Sequence, residues 1–149
     1  MKVVIALGAN LGQPRAQVAR AIEEIRKLLN VITVSSLYET APFGVPDSQP
    51  NYINAVIIGE TDQKPMDLMK ALLEVENSLG RTRSFQNAAR HMDIDIIDLG
   101  GLFMESESLT LPHPRAHERR FVLEPWLEID PSAHLPGRGP ISELLAALT

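Results

Sequence analysis

Four strand-like stretches alternate with two helix-like segments in the first part of the sequence, and their order restricts the fold more than any other feature. The strand-like stretches, rich in Val and Ile, are 3–7, 31–40, 52–60 and 92–99. The segments with helical spacing of apolar residues run from Pro14 to about Asn30 and from Pro65 to Gly80. This β-α-β-β-α-β order predicts an α+β fold of the ferredoxin-like type, in which one antiparallel sheet is backed by helices.

The remaining sequence predicts connecting loops and additions at the C-terminal end. A proline-containing loop covers 41–50, and a polar stretch covers 81–91. We expect a short hairpin near 102–110 and helices at 121–128 and 141–148. A length of 149 residues suits one domain spanning 1–149.

Charge and cysteine content exclude several classes of protein. The net charge of −5 disfavours broad attraction to nucleic acid or to an anionic membrane. Cysteine is absent, which excludes disulfides, thiolate metal sites and a cysteine nucleophile. The apolar run at 3–7 is shorter than a secretory or membrane-spanning segment requires. We therefore expect a cytoplasmic monomer whose partners are small molecules, neither nucleic acid nor membrane.

Asp93 and Asp95 give the strongest local signal of chemistry. They stand at i and i+2 in an apolar strand, so both carboxylates should point to one sheet face, opposite Ile94 and Ile96. Neighbouring carboxylates repel each other unless a proton or a cation neutralises the pair. Oxygen ligands without cysteine favour Mg²⁺. The alternative is a strand with one solvated face, on which acidic residues are common.

Arginine is concentrated around this acidic pair. Ten arginines stand against four lysines, and the stretch 81–120 holds six of the arginines and no lysine. Arginine binds phosphate and carboxylate oxygens with a planar fork, so a local anion site is indicated, with solvated surface charge as the alternative. The sequence has no glycine-rich G-x-x-x-x-G-K-[ST] loop. If the protein handles a nucleotide, side chains must hold the phosphates.

Three further positions have two interpretations each. Tyr52 and Asn54 share one face of a strand and could present an aromatic plane and an amide to a flat heterocycle, or could simply pack. His113 lies between two prolines, which suits either a phosphate donor or a turn without function. Glu76, near the end of the second helix, could be solvated or could belong to a site.

Several motifs together resemble the 6-hydroxymethyl-7,8-dihydropterin pyrophosphokinase family of folate biosynthesis. The resemblance covers nearly the whole chain, and its most specific blocks are those at 90–96 and 111–123. The blocks are Ala6-Leu7-Gly8-Ala9-Asn10-Leu11-Gly12, Ser35-Ser36-Leu37-Tyr38-Glu39-Thr40-Ala41-Pro42, Pro50-Asn51-Tyr52-Ile53-Asn54-Ala55, Gly80-Arg81-Thr82-Arg83, Arg90 with Asp93-Ile94-Asp95-Ile96, and Leu111-Pro112-His113-Pro114-Arg115-Ala116-His117-Glu118-Arg119-Arg120-Phe121-Val122-Leu123.

The resemblance implies a ferredoxin-like fold and transfer of diphosphate from ATP to the pterin hydroxymethyl group, with release of AMP. It assigns the ligands of two Mg²⁺ ions to Asp93 and Asp95, and catalytic roles to Asp95, Arg81 and Arg90. The implied pterin-binding residues are Thr40, Ala41, Phe43, Tyr52, Asn54 and Phe121. The implied nucleotide-binding residues are Glu76, Arg83, Ile96, Thr110, His113 and Arg119.

The sequence departs from the family pattern at three places. Asn87-Ala88-Ala89 precedes Arg90, where many members carry Trp-Gly-Pro. Ser108 stands where some members have an arginine, and Pro114 where some have a tyrosine. These departures bear on nucleotide affinity and on closure over the pterin.

Two other functions share the predicted element order. RNA-recognition modules stack bases on sheet aromatics, but this chain is acidic and has only seven aromatic residues. A regulatory domain of the ferredoxin-like type would bind a small ligand without chemistry. That function gives no reason for an acidic pair beside six arginines.

Overall fold

In the computed structural model, which describes residues 1–41, 50–80 and 92–148, the chain forms a mixed α/β fold around an antiparallel sheet. The strands are β1 (Lys2–Ala9), β2 (Asn30–Val34), β3 (Tyr38–Thr40), β4 (Tyr52–Glu60), β5 (Asp93–Leu99), β6 (Met104–Glu105), β7 (Thr110–Leu111), β8 (His134–Leu135) and β9 (Gly139–Pro140). The helices are α1 (Pro14–Arg26), α2 (Pro65–Gly80), α3 (Arg120–Ile129) and α4 (Ile141–Ala146), with a 3-10 turn at Ala116–Glu118.

The main sheet has five strands, with β4 and β1 in its interior. Its order is β2-β4-β1-β5, every pairing is antiparallel, and β3 pairs with β4 beyond the end of β2. Two-residue pairs, β6 with β7 and β8 with β9, form small separate ladders. Among the described residues, no helix is long and apolar enough to cross a membrane.

The prediction of a single strand over 31–40 is wrong, because the ladder breaks at Ser35. The Ser35 backbone N–H donates to the Val56 carbonyl, but the Val56 N–H donates to the Ser35 side-chain hydroxyl instead of its carbonyl. A side chain thus replaces the backbone in the ladder, and β2 ends before β3 begins. The first helix is also shorter than expected, since i→i−3 bonds from Lys27 and Leu28 tighten its last turn.

The sheet is covered by helices on both faces. Val3, Ile5 and Leu7 of β1 pack beneath α1 and α2, whereas Val4 and Ala6 pack beneath α3 and α4. Because both faces are buried, the strands have nearly continuous apolar runs instead of alternating ones. Trp126 of α3 is 1% exposed and is the largest fully buried side chain. The α3–α4 layer positions the site described next.

Candidate active site

Asp93 and Asp95 project from β5 toward the face that carries α3 and α4. Ile94 and Ile96 lie in the opposite core beneath α1 and α2, so strand alternation places both carboxylates on the other side. Across the ladder, Asp93 pairs with Gly8 and Asp95 with Ala6. Since these two partners have the smallest side chains, β1 leaves space beside the carboxylates.

His113 and Arg119 approach Asp95 from the chain that follows β7. The His113 Nε2 lies 4.0 Å from Asp95 Oδ2, and Arg119 Nη1 lies 3.9 Å from the same oxygen. Both separations exceed a hydrogen bond. They are electrostatic contacts, and they bring one carboxylate and two hydrogen-bond donors together on the sheet face.

A bulge in β5 helps to orient His113. The register between β1 and β5 skips Ile97, and the Ile97 carbonyl accepts the His113 backbone N–H at 2.9 Å. The His113 Nδ1 accepts the Arg115 backbone N–H at 3.1 Å, so the neutral ring carries its proton on Nε2, toward Asp95. Burial lowers the pKa of His113, with Arg119 and Arg115 acting in the same direction against Asp95. Burial therefore favours the neutral imidazole, whose Nε2–H is directed toward Asp95.

Arg119 also contacts the aromatic side chain of Phe121. Its guanidinium carbon lies 5.6 Å from the centre of the Phe121 ring, within the range of a cation–π contact. Phe121 is half-buried against the core beneath α3. Arg119 thus links the acidic pair to the first turn of α3.

Asn54 and Thr40 form a second polar group on the same sheet face. Asn54 is 4% exposed, and its Nδ2 donates to Thr40 Oγ1 at 2.7 Å. Its Oδ1 lies only 2.8 Å from the point where a side chain at Gly8 would begin. Tyr52 lies two residues before Asn54 on the same face and pairs with Thr40 across the ladder.

The structure brings these two groups together, because the pairing register forms one continuous row. Tyr38 pairs with Asn54, Asn54 with Gly8, and Gly8 with Asp93. With strands about 4.8 Å apart, Asn54 and Asp93 stand roughly 10 Å from each other across Gly8. A flat ligand beside Asn54 would therefore lie next to the acidic pair.

The other residues expected to bind the nucleotide lie on β5 and around it, on the face away from the carboxylates and beside its outer edge. Glu76 of α2 is 9% exposed, and its Oε2 accepts the Ile94 backbone N–H at 2.8 Å, so a solvated Glu76 is wrong. The Ile96 side chain is buried in the core, leaving its backbone to contact a ligand. Thr110 is half-buried on β7, which packs beside β5.

Some expected site residues lie outside the described ranges: Phe43, Arg81, Arg83 and Arg90. Ala41, at the end of its described range, is exposed.

Sequence reasoning missed one network beside this site. The Glu128 carboxylate of α3 accepts hydrogen bonds from Ser36 and Tyr38, which flank the break between β2 and β3. The block at 35–42 contains both residues, but no spacing rule connects it to a glutamate about ninety residues away.

Comparison with known proteins gives consistent matches. The family model described as 7,8-dihydro-6-hydroxymethylpterin-pyrophosphokinase (HPPK) matches residues 4–131. The 2-amino-4-hydroxy-6-hydroxymethyldihydropteridine pyrophosphokinase of Haemophilus influenzae is 40% identical over 143 residues, covering 95% of this chain and 89% of that protein. The protein of the same name from Bacillus subtilis is 38% identical over 127 residues, covering 84% of this chain and 75% of that one.

A solved structure is similar in fold. The wild-type HPPK-DHPS of Plasmodium falciparum matches with a TM-score of 0.76 and 13% identity, covering 98% of this chain and 44% of that one. The chain thus spans less than half the length of that solved protein, and at this identity the likeness shows the fold alone.

Proposed function

Because the chain belongs to the 7,8-dihydro-6-hydroxymethylpterin-pyrophosphokinase family, its activity is the pyrophosphokinase reaction of folate biosynthesis, and we propose how its residues perform that reaction. The β- and γ-phosphates of ATP pass together to the hydroxymethyl oxygen of 6-hydroxymethyl-7,8-dihydropterin. The hydroxymethyl oxygen forms a bond to the β-phosphorus while the bond from that phosphorus to the α,β-bridging oxygen breaks. AMP leaves with the electron pair of the broken bond, and the hydroxyl proton passes, with the help of Asp95, to water. The observation that carries the assignment is the acidic pair on one sheet face with His113 and Arg119 against it.

Asp93 and Asp95 hold two Mg²⁺ ions in this proposal. Their carboxylates supply the hard oxygen ligands that Mg²⁺ prefers, and they project side by side from β5. An Mg²⁺ ion held by one or two carboxylates completes its shell with phosphate oxygens and water. Bound there, Mg²⁺ would offset negative charge on the phosphates and orient them.

His113 and Arg119 bind phosphate oxygens in this arrangement. The neutral His113 ring donates through its Nε2–H, and the Arg119 guanidinium offers several donors beside the same carboxylate. Arg81 and Arg90 stabilise charge that develops during transfer, and Arg83 assists on the nucleotide side. The support for these three arginines is the family pattern of the sequence.

Asp95 assists the attacking hydroxyl of the pterin. Its Oδ2 faces both donors, and Asn54 stands across Gly8 on the same sheet face. A pterin held at Asn54 would bring its hydroxymethyl group toward the carboxylate. Positioning of this kind can supply much of the rate enhancement in phosphoryl transfer.

The pterin is held between Tyr52 and Phe121, with its polar edge against Asn54. Thr40 accepts one Asn54 N–H and so fixes which way the carboxamide points, leaving its remaining groups for the heterocycle. The backbone at Ala41 and Phe43 completes this edge. On the nucleotide side, Glu76, Ile96 and Thr110 surround β5.

We extend the proposal to the whole chain. The strand order β2-β4-β1-β5, with β3 continuing β2, supports a ferredoxin-like core to which the α3–α4 layer is appended. Residues 1–149 form one domain that acts as a cytoplasmic monomer, with ATP and the pterin as its partners.

³¹P NMR of ATP mixed with the reduced pterin, Mg²⁺ and the protein tests this function. We expect AMP and a pterin diphosphate, with turnover lost when Mg²⁺ is chelated. Formation of ADP would contradict the assignment.

Asp95→Asn tests the residue assignment in the same assay. Because the amide removes the charge while keeping the shape, we expect turnover to fall by about 100-fold or more. Asp62→Asn is the matched control, since Asp62 is exposed beyond the far end of β4. Equal turnover by the two variants would overturn the role of Asp95.

A further inference from the structure

Glu128 accepts three hydrogen bonds from a segment about ninety residues away. Its Oε1 accepts the Ser36 backbone N–H at 3.0 Å and the Tyr38 hydroxyl at 2.9 Å, and its Oε2 accepts the Ser36 hydroxyl at 2.8 Å. The bond from the Ser36 hydroxyl, assisted by those from the Ser36 backbone and Tyr38, lowers the pKa of Glu128 against the opposing effect of burial. Burial and the bond to Glu128 raise the pKa of Tyr38 to about 12. Hydrogen bonds to a charged carboxylate are stronger than those between neutral groups.

The bonded segment contains the shortest strand of the main sheet. Ser36 lies in the break between β2 and β3, outside both ladders. Strand β3 has three residues and pairs only with β4. A strand this short is held weakly by its own ladder, so its position depends on other contacts.

The position of β3 determines the polar side of the pterin site. Thr40 of β3 accepts the Asn54 amide at 2.7 Å, and Tyr38 pairs with Asn54 across the ladder. If β3 shifts, Thr40 no longer holds the Asn54 carboxamide in place.

The same helix that carries Glu128 carries the aromatic Phe121. The two residues are seven positions apart, close to two turns of α3, so they lie on the same side of the helix. Helix α3 packs on β3 and β4. The bonds of Glu128 therefore join the last turn of α3 to the segment at Ser36 and Tyr38.

We propose that Glu128 is a positioning residue for the pterin: it holds the helix bearing Phe121 against the strands bearing Tyr52 and Asn54. This inference rests on the proposed function, because it assumes that the pterin lies between those elements. Glu128 itself touches neither substrate.

Steady-state kinetics of AMP formation with each substrate varied in turn tests the proposal. For Glu128→Ala we expect the KM for the pterin to rise about tenfold, since a small misplacement of contacts costs this much or more. The KM for ATP should stay within about twofold. Glu128→Gln keeps one oxygen acceptor, so its KM for the pterin should lie between those of the unmodified protein and Glu128→Ala. Tyr38→Phe should raise the KM for the pterin less than Glu128→Ala does.

Glu143→Ala is the control, because Glu143 is an exposed glutamate of α4 in the same helical layer and makes none of the three bonds. Thermal unfolding of every variant checks that it is folded at the assay temperature; if Glu128→Ala is not, Ser36→Ala and Tyr38→Phe carry the test. An unchanged pterin KM, or an equal rise in the KM for ATP, would overturn the proposal. Absence of AMP formation by the unmodified protein would overturn the proposed function itself, and this inference with it.

Discussion

Gly8 stands between Asn54 and Asp93 in the row of residues that crosses the site. A Cβ at this position would lie 2.8 Å from Asn54 Oδ1, closer than van der Waals contact permits. We predict that Gly8→Ala turns the Asn54 carboxamide away from Thr40. The KM for the pterin should rise about tenfold, because the rotated carboxamide no longer forms hydrogen bonds with the polar edge of the pterin.

A double-mutant cycle with Asn54→Ala separates this cause from a general defect. Since Asn54 is, in the part of the chain that the structure describes, the only side chain within 3.5 Å of the added carbon, Gly8→Ala should have little further effect once the carboxamide is gone. Additive losses in the double variant would contradict this mechanism.

The orientation of Asp93 and Asp95 could be predicted from residues alone, whereas the burial of Glu76 could not. Strand alternation fixes the shared face of the two carboxylates regardless of what surrounds them. The environment of Glu76 depends on the packing of α2 against β5, which no local spacing specifies.

Helix α2 and strand β5 are joined through Glu76 at the point where the acidic pair lies. The Ile94 N–H that Glu76 accepts belongs to the residue between Asp93 and Asp95. We predict that Glu76→Leu leaves this N–H without its acceptor and lowers the free energy of unfolding by about 2 kcal/mol. The Mg²⁺ concentration for half-maximal activity should also rise, because the strand that presents both carboxylates is no longer fixed. Urea unfolding and Mg²⁺ titration of AMP formation measure the two effects.

Two variants of the same helix control this experiment. Glu76→Gln keeps an oxygen acceptor and should retain most of the stability, while Glu74→Leu changes an exposed glutamate and should alter neither quantity. A rise in the KM for ATP alone, with stability and Mg²⁺ dependence unchanged, would show that Glu76 contacts the nucleotide without positioning β5.

The elements of the main sheet were predictable wherever apolar pattern alone defines them. Strands β1 and β4 are long apolar runs, and α2 has a clear helical spacing ended by Gly80. The division of 31–40 into β2 and β3 was not predictable. It depends on the Ser35 hydroxyl substituting for a backbone carbonyl opposite Val56, a tertiary contact that composition does not encode.

At the scale of the whole molecule, the sheet separates two hydrophobic cores that differ in their effect on the candidate active site. Val18 of α1 is fully buried in the core beneath α1 and α2, and Val122 of α3 is 1% exposed in the core on the other face. Only the second core supports the helix that carries Phe121 and follows Arg119. The element order predicted the first layer, but no local spacing specifies that the helices expected at 121–128 and 141–148 cover the other face of the sheet.

Val18→Ala and Val122→Ala form a matched pair that tests this division of roles. Each deletes the same two methyl groups from a buried site, so each should lower the free energy of unfolding by about 2 kcal/mol in urea titrations. At a temperature where both variants are folded, we expect Val122→Ala to lower kcat/KM for the pterin several-fold, because the first turn of α3 moves relative to β4. Val18→Ala should remain within about twofold of the unmodified protein. Equal kinetic losses from equal destabilisation would mean that the site responds to overall stability and not to the placement of α3.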